Sequence, residues 1–166
     1  MDSERYKRPE SVLVVVHTRE RAVLMLERRV PLGYWQSVTG SLGWGETPQA
    51  AACRELREET GLVAGGAVVL RDRGEQNRFP LLPEWQARYR PGVRYNLEHV
   101  FTAELAVPAD IRLAPTEHVA LRWVAWPAAV ALAASWTDRA AIRRYVAADD
   151  AGGGSKPRRY PIPKSR

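Results

Sequence analysis

Two neighbouring segments carry most of the structural information in this chain: Gly40-Ser-Leu-Gly-Trp-Gly-Glu46 and Arg54-Glu55-Leu56-Arg57-Glu58-Glu59-Thr60-Gly61-Leu62. The second segment ends a predicted helix, Pro48 to Thr60. Thr47 is a suitable N-cap for this helix, and a proline at the first helical position lacks only an N–H that the helix does not use. Gly61 lies directly after the predicted helix, at the position where a residue with a left-handed backbone conformation commonly ends a helix. We therefore predict a glycine-rich turn followed by one helix that carries several glutamates.

Three of those glutamates share one face of the predicted helix. At about 100° per residue, Glu55, Glu58 and Glu59 fall within an arc of about 100°. Like charges at this spacing repel by a few tenths of a kcal/mol, and the helix dipole disfavours negative charge in the last turns. The face is either simply solvated, as most runs of charge are, or compensated by a divalent cation. Carboxylate oxygens favour Mg²⁺ or Mn²⁺ over zinc, and such a cation serves phosphoryl chemistry.

The glycine-rich turn before the helix favours the second interpretation. Gly40, Gly43 and Gly45 allow sharp bends and a close approach of the backbone. This turn could fold against the helix and offer carbonyl oxygens to a metal ion, although a plain tight turn would use the same residues.

The rest of the chain alternates strand and helix patterns. Strand candidates are Ser11–Val16, Arg21–Glu27, Ala67–Leu70, Glu98–Leu105 and Val119–Trp126. Further helices are predicted at Pro127–Ala134 and after Thr137 as a cap, and the Arg-, Pro- and aromatic-rich stretch between the third and fourth strands is predicted to be irregular. Strands mixed with a few helices on a short chain predict an α/β or α+β sandwich with a mixed sheet.

Composition suits one soluble domain. The chain has 166 residues, of which 45% are hydrophobic and 27% charged. No apolar run approaches the roughly 20 residues needed to cross a bilayer, and Met1 to Arg8 lacks the apolar stretch of a signal peptide. Cys53 is the single cysteine, which excludes an internal disulfide and a cysteine-based zinc site. We expect a cytoplasmic setting and no membrane partner.

The net charge of +6 is concentrated at the C-terminal end. Residues 152–166 contain five basic residues and no acid, so the remainder is nearly neutral. We expect a domain over 1–151 and a basic, disordered tail over 152–166. A basic nucleic-acid-binding face on the folded part is therefore unsupported, although a binding module that uses the tail remains an alternative.

The two opening segments together resemble the Nudix box, G-x5-E-x7-R-E-U-x-E-E-x-G-U with U aliphatic. The fixed positions are filled by Gly40, Glu46, Arg54, Glu55, Leu56, Glu58, Glu59, Gly61 and Leu62. The resemblance implies an α/β/α sandwich that hydrolyses a nucleoside diphosphate linked to another group and uses Mg²⁺. In this family the box arginine holds a box glutamate in place, which would here be the role of Arg54.

Segments outside the box are similar to the Nudix branch that hydrolyses dihydroneopterin triphosphate in bacterial folate synthesis. They include Tyr6–Pro9, Trp35–Ser41, Arg88-Tyr89, Thr116–His118 and Ser135-Trp136. This similarity implies the monophosphate and pyrophosphate as products. The enzymatic alternative is a sanitising hydrolase of ordinary or oxidised nucleoside triphosphates. The oligomeric state stays open.

The same resemblance implies roles for individual residues. Metal ligands would be Glu55, Glu59 and Glu117, and the general base would be either Glu58 or Glu117. Substrate contacts would come from Lys7, Arg28, Thr39 and Ser135. The two cations suit phosphate oxygens, and the two hydroxyls suit a ring or a phosphate. His99 and His118 are interpreted as structural or exposed residues rather than as ligands.

Overall fold

A computed structural model of the chain describes residues 5–148, so the predicted basic tail lies outside the described residues. The strands are β1 (Glu10–Thr18), β2 (Ala22–Arg28), β3 (Trp35–Gln36), β4 (Val38–Ser41), β5 (Val69–Pro80), β6 (Tyr95–Leu105) and β7 (His118–Ala125). The helices are α1 (Pro48–Thr60), α2 (Trp126–Leu132) and α3 (Trp136–Tyr145), with a short 3-10 helix at Pro83–Arg88.

One mixed sheet organises the molecule. Its main path runs β3-β2-β1-β6-β5, while β4 pairs with β1 and β7 pairs with β2. The β1–β6 pair is parallel over its whole length, and the other pairs are antiparallel. Because β1 lies in the middle and is buried on both faces, its near-continuous apolar run is expected.

Helices cover both faces of this sheet. Alternate residues of β1 divide between two cores: Val12 and Val14 pack with Leu56 of α1, and Leu13 and Val15 pack with Ile142 of α3. This division follows from the two-residue period of a strand. The result is the predicted α/β/α sandwich with a mixed sheet in a single domain.

Helix α1 forms as its capping residues predict. The Thr47 hydroxyl accepts a hydrogen bond from the Ala50 N–H at 3.2 Å. Gly61 adopts φ 78° and donates its N–H to the Arg57 carbonyl at 2.8 Å. Two of the three predicted glutamates, Glu55 and Glu59, are buried against the sheet. The helix face is thus only partly solvated.

Two local predictions were wrong. The stretch predicted to be irregular contains most of β5, which continues to Pro80 as an edge strand with a register shift between Asp72 and Glu75. Polar residues are tolerated there because an edge strand is largely exposed. Helix α3 is capped by Ser135, whose hydroxyl accepts from the Asp138 N–H at 3.1 Å, and Thr137 lies inside the helix.

In the part of the chain that the structure describes, no helix has the length and apolar character required to span a membrane.

Candidate active site

A cavity of about 740 Å³ opens where α1, the sheet and the loop before β7 meet. Its volume is in the range of small-molecule sites, about 300–1,000 Å³. Six of the eight residues predicted to bind metal or substrate or to act as the base line it: Lys7, Arg28, Thr39, Glu55, Glu59 and Glu117. Glu58 and Ser135 are outside the lining. The cavity therefore gathers most of the predicted site into one place.

A group of carboxylates forms one end of the cavity. Glu59 is only 2% exposed, and its Oε2 accepts a hydrogen bond from the backbone N–H of Thr39 at 3.1 Å. Burial, followed by the charges of Glu55 and Glu117, raises the pKa of Glu59 well above its usual range. Burial also raises the pKa of Glu55, against the lowering effect of Arg54, and the charges of Glu58 and Glu117 add to the rise. Carboxylates that disfavour one another's ionisation in this way fit a site for a divalent cation.

His118 stands in the same group. Ligand atoms of Glu59, Glu117 and His118 all lie within 4.8 Å of one another, and His118 Nε2 is 3.8 Å from Glu59 Oε1. Burial lowers the pKa of His118, which keeps the imidazole neutral and able to bind a metal ion. From the sequence alone this histidine is interpreted as structural or exposed rather than as a ligand. Its position next to Glu117 was the available signal that both side chains could serve one site.

The first glycine of the turn makes room for a glutamate. A Cβ atom placed on Gly40 would lie 2.1 Å from the Glu55 Cδ atom. Real atoms do not approach so closely, so any side chain at this position would displace the Glu55 carboxylate. The box therefore needs glycine here because of space. Its backbone does not adopt the left-handed conformation.

Arg54 organises the carboxylates at the rim, as the resemblance implied. Its guanidinium binds both oxygens of Glu46, each at 2.8 Å, and contacts Glu55 Oε1 at 2.8 Å. Hydrogen bonds from Arg54 lower the pKa of Glu46 to about 2. Glu58 is the third glutamate that Arg54 contacts, through Oε2 at 3.2 Å, and the Glu58 side chain is half exposed. Arg54 thus orients Glu55 while Glu58 stays at the surface.

Basic side chains lie beside the carboxylate end. Lys7 is an exposed residue, but partial burial of its ammonium group together with Arg88 lowers its pKa, while Glu55 and Glu117 act in the opposite direction. Arg28 lies 5.4 Å from the centre of the Tyr34 ring. Both cations line the cavity, so a phosphate chain bound there would meet them and the carboxylate group together.

Another part of the cavity lining, which we call the aromatic end, contains three aromatic side chains, and sequence reasoning largely missed it. It is lined by Phe79, Trp85, Tyr89, Asn96 and Glu98. Sequence alone offers Trp35, Trp85 and Trp136 as candidates for stacking on a flat heterocycle, and of these only Trp85 lines the cavity. Glu98 is the first residue of the predicted strand Glu98–Leu105, and a carboxylate at the start of this strand was the available signal.

Ser135 has a different position from the other predicted substrate contacts. Its hydroxyl caps α3 and lies 3.0 Å from the Thr137 hydroxyl. Because it does not line the cavity, its role in binding substrate stays a prediction.

Comparison with known proteins agrees with this geometry. The NUDIX domain family model matches residues 7–145. Dihydroneopterin triphosphate diphosphatase of Escherichia coli is 42% identical over 148 residues, which cover 88% of this chain and 97% of that protein. The Haemophilus influenzae protein of the same name is 35% identical over 144 residues, covering 86% and 90% of the two chains.

A solved structure extends the similarity to the fold. The E. coli dihydroneopterin triphosphate pyrophosphohydrolase superposes with a TM-score of 0.78 at 42% identity and covers 86% of this chain and 97% of its own. Nudix hydrolases use divalent metal ions, which suits the carboxylate group around Glu59. The chain belongs to the NUDIX domain family and is a Nudix pyrophosphohydrolase that acts on a small-molecule phosphate substrate.

Proposed function

We propose that the protein hydrolyses dihydroneopterin triphosphate to dihydroneopterin monophosphate and pyrophosphate in a Mg²⁺-dependent reaction, for which Mn²⁺ could substitute. The observation that carries the proposal is the composition of this cavity: carboxylates, two basic side chains and an aromatic end line the same space. Such a cavity suits a triphosphate joined to a flat heterocycle. The names of the E. coli and H. influenzae relatives support the same substrate.

In this proposal Glu55, Glu59 and Glu117 hold the metal ion. When bound, Mg²⁺ supplies neutralising charge for phosphate oxygens and lowers the pKa of a coordinated water. Lys7 and Arg28 bind the remaining phosphate charge and fix the chain of phosphates along the cavity. The Thr39 hydroxyl donates to the Val12 carbonyl at 2.9 Å, so its free lone pair is available to accept a hydrogen bond from the substrate.

We assign the general base to Glu117 in preference to Glu58. Glu117 lines the cavity, whereas Glu58 does not and is held by Arg54 at the surface. A base must come within hydrogen-bond reach of the proton that it removes. The carboxylate of Glu117 accepts the proton of the attacking water, and Glu58 adds only negative charge at the rim.

The proposed setting is cytoplasmic, where Cys53 remains a thiol, and nucleic acid is not a partner in the reaction.

A panel of triphosphates tests the proposal. Purified protein with Mg²⁺ is expected to hydrolyse dihydroneopterin triphosphate at least about tenfold more efficiently than ordinary or oxidised deoxynucleoside triphosphates. The reaction is then run in ¹⁸O-labelled water, and the label identifies the phosphorus attacked. Equal turnover across the panel would indicate a sanitising hydrolase instead. Inorganic phosphate in place of pyrophosphate would contradict the proposed products.

A further inference from the structure

Glu98 is a buried carboxylate at the aromatic end of the cavity, outside the group expected to hold a metal. The residue is 5% exposed and lies on β6, between β1 and β5. It contacts α3, whereas Glu55 and Glu59 belong to α1 on the other face of the sheet. Burying a carboxylate is costly unless partners compensate it, so this position needs an explanation.

The hydrogen-bond partners of Glu98 are neutral. The Asn77 side-chain amide donates to Oε1 at 3.3 Å, and the Thr137 hydroxyl donates as well. The strongest neighbouring charges on it are the carboxylates Asp138 and Glu75, which oppose its ionisation. A carboxylate has about four lone-pair positions, so these two donors leave it able to accept two more.

The surroundings of Glu98 suit a flat ring. On the β5–β6 ladder Phe79 pairs with Asn96, and Asn96 precedes Glu98 by two residues. Trp85 is partly buried, and Tyr89 is 8% exposed, which raises the pKa of its hydroxyl. Aromatic side chains bind planar heterocycles through their faces. A carboxylate in such surroundings favours a ring whose edge carries two adjacent N–H donors.

We propose that Glu98 determines substrate specificity by accepting two hydrogen bonds from the 2-amino group and the neighbouring ring N–H of a 2-amino-4-oxopteridine. This inference rests on the proposed function and adds the group that recognises the heterocycle. Two parallel N–H donors facing one carboxylate reproduce the bidentate geometry of an arginine–carboxylate pair.

The proposal also gives Ser135 an indirect role. Its hydroxyl lies 3.0 Å from the Thr137 hydroxyl, which in turn donates to Glu98. Ser135 would therefore be a positioning residue for Glu98, because it orients the hydroxyl that holds the carboxylate.

A matched pair of free ligands tests the inference. Pterin carries the 2-amino group, whereas lumazine has a carbonyl oxygen at that position and is otherwise the same ring. Binding is measured by fluorescence with EDTA present, so that neither metal nor phosphate contributes. Wild-type protein is expected to prefer pterin about 10- to 100-fold, the usual effect of exchanging a hydrogen bond to a charged group for a repulsive contact.

Glu98→Gln is expected to abolish or reverse this preference, because a glutamine amide can donate to the lumazine carbonyl. The matched control is Glu84→Gln, an exposed glutamate on the 3-10 helix that does not line the cavity. With dihydroneopterin triphosphate, Glu98→Gln should raise KM and leave kcat nearly unchanged, since in this proposal Glu98 contacts the ring and not the reacting phosphates.

Equal binding of pterin and lumazine to wild-type protein would overturn the inference even if the variant failed to fold. A folded Glu98→Gln protein that keeps the pterin preference would overturn it as well. Either result leaves the proposed function intact if dihydroneopterin triphosphate is still the best substrate. Conversely, a pterin preference in a protein that hydrolyses all triphosphates equally would contradict only the proposed function.

Discussion

Two ends of one cavity contain buried glutamates whose pKa values are raised, and their neighbours differ. Around Glu59 the strongest influences after burial are other carboxylates, Glu55 and Glu117. Around Glu98 the nearest partners are a neutral amide and a neutral hydroxyl, from Asn77 and Thr137. The same side chain, buried to a similar extent, therefore has two different requirements.

The difference lies in what each end lacks. Mutually repelling carboxylates need positive charge, which a divalent cation supplies at high density. Glu98 has neutral hydrogen-bond partners, although Asp138 and Glu75 oppose its ionisation, and it is better matched by neutral N–H donors, because these do not have to be stripped of a tightly held water shell. Identical Glu→Gln substitutions at the two ends should therefore produce different kinds of defect.

The largest expected effect is that of Glu59→Gln on turnover. Removing this carboxylate takes away the most deeply buried of the proposed ligands, so kcat should fall by about a thousandfold or more at any practical Mg²⁺ concentration. The fold should be retained or slightly stabilised, because a repulsion between carboxylates is relieved. Steady-state kinetics and thermal unfolding measure the two quantities.

Glu58→Gln is the control on the same helix, since Glu58 is half exposed and outside the cavity. It should retain most of the turnover. Near-normal activity of folded Glu59→Gln would contradict the metal role, and a loss in Glu58→Gln as large as that in a Glu117→Gln variant would contradict the choice of base.

At the other end, Glu98→Gln should change the pH dependence of stability. Burial raises the pKa of Glu98 from 4.5 to about 7. The pKa of Glu98 is therefore higher in the folded protein than in the unfolded chain. As a result, the wild-type protein loses stability as the pH rises from 4.5, the pKa in the unfolded chain, through about 7. Glutamine does not titrate, so the variant should gain up to about 3 kcal/mol in unfolding free energy relative to wild type above pH 7.

Urea denaturation at pH 5 and at pH 8 measures this difference. The gain should be small at the lower pH, where the wild-type carboxyl is largely protonated. Asp138 is buried and opposes the ionisation of Glu98, so the measured difference includes the interaction between these two carboxyls. A difference between variant and wild type that does not depend on pH would show that Glu98 stays in one protonation state throughout.

Sequence alone predicted the carboxylate end better than the aromatic end, for a physical reason. The cap residues Thr47 and Gly61 lie next to the helix that they limit, so the bounds of α1 and the shared face of its glutamates follow from local chemistry. Glu117 comes from a distant loop and was reached only through family resemblance. Spacing on one helix cannot reveal a ligand that the fold brings from elsewhere.

The aromatic end depends on long-range pairing. Glu98 faces the cavity because β6 pairs with β5 in a register that places it opposite Asn77. The polar composition of β5 concealed that strand, and without it neither the register nor the neighbouring 3-10 helix could be placed. The proximity of His118 to Glu59 could not be predicted for a related reason, since the two residues are on different elements.

The smallest expected effect is that of Gly40→Ala, which separates the contribution of one ligand from that of the whole carboxylate end. The new Cβ would lie 2.1 Å from the Glu55 Cδ atom. The end of a glutamate side chain can rotate away, so the fold should survive while the Mg²⁺ concentration for half-maximal activity rises about 10- to 100-fold. Gly43→Ala is the matched control, because its nearest contact would be an ordinary 3.7 Å. An unchanged Mg²⁺ requirement in Gly40→Ala would mean that Glu55 is dispensable as a ligand, and that the metal is held by Glu59 and its neighbours alone.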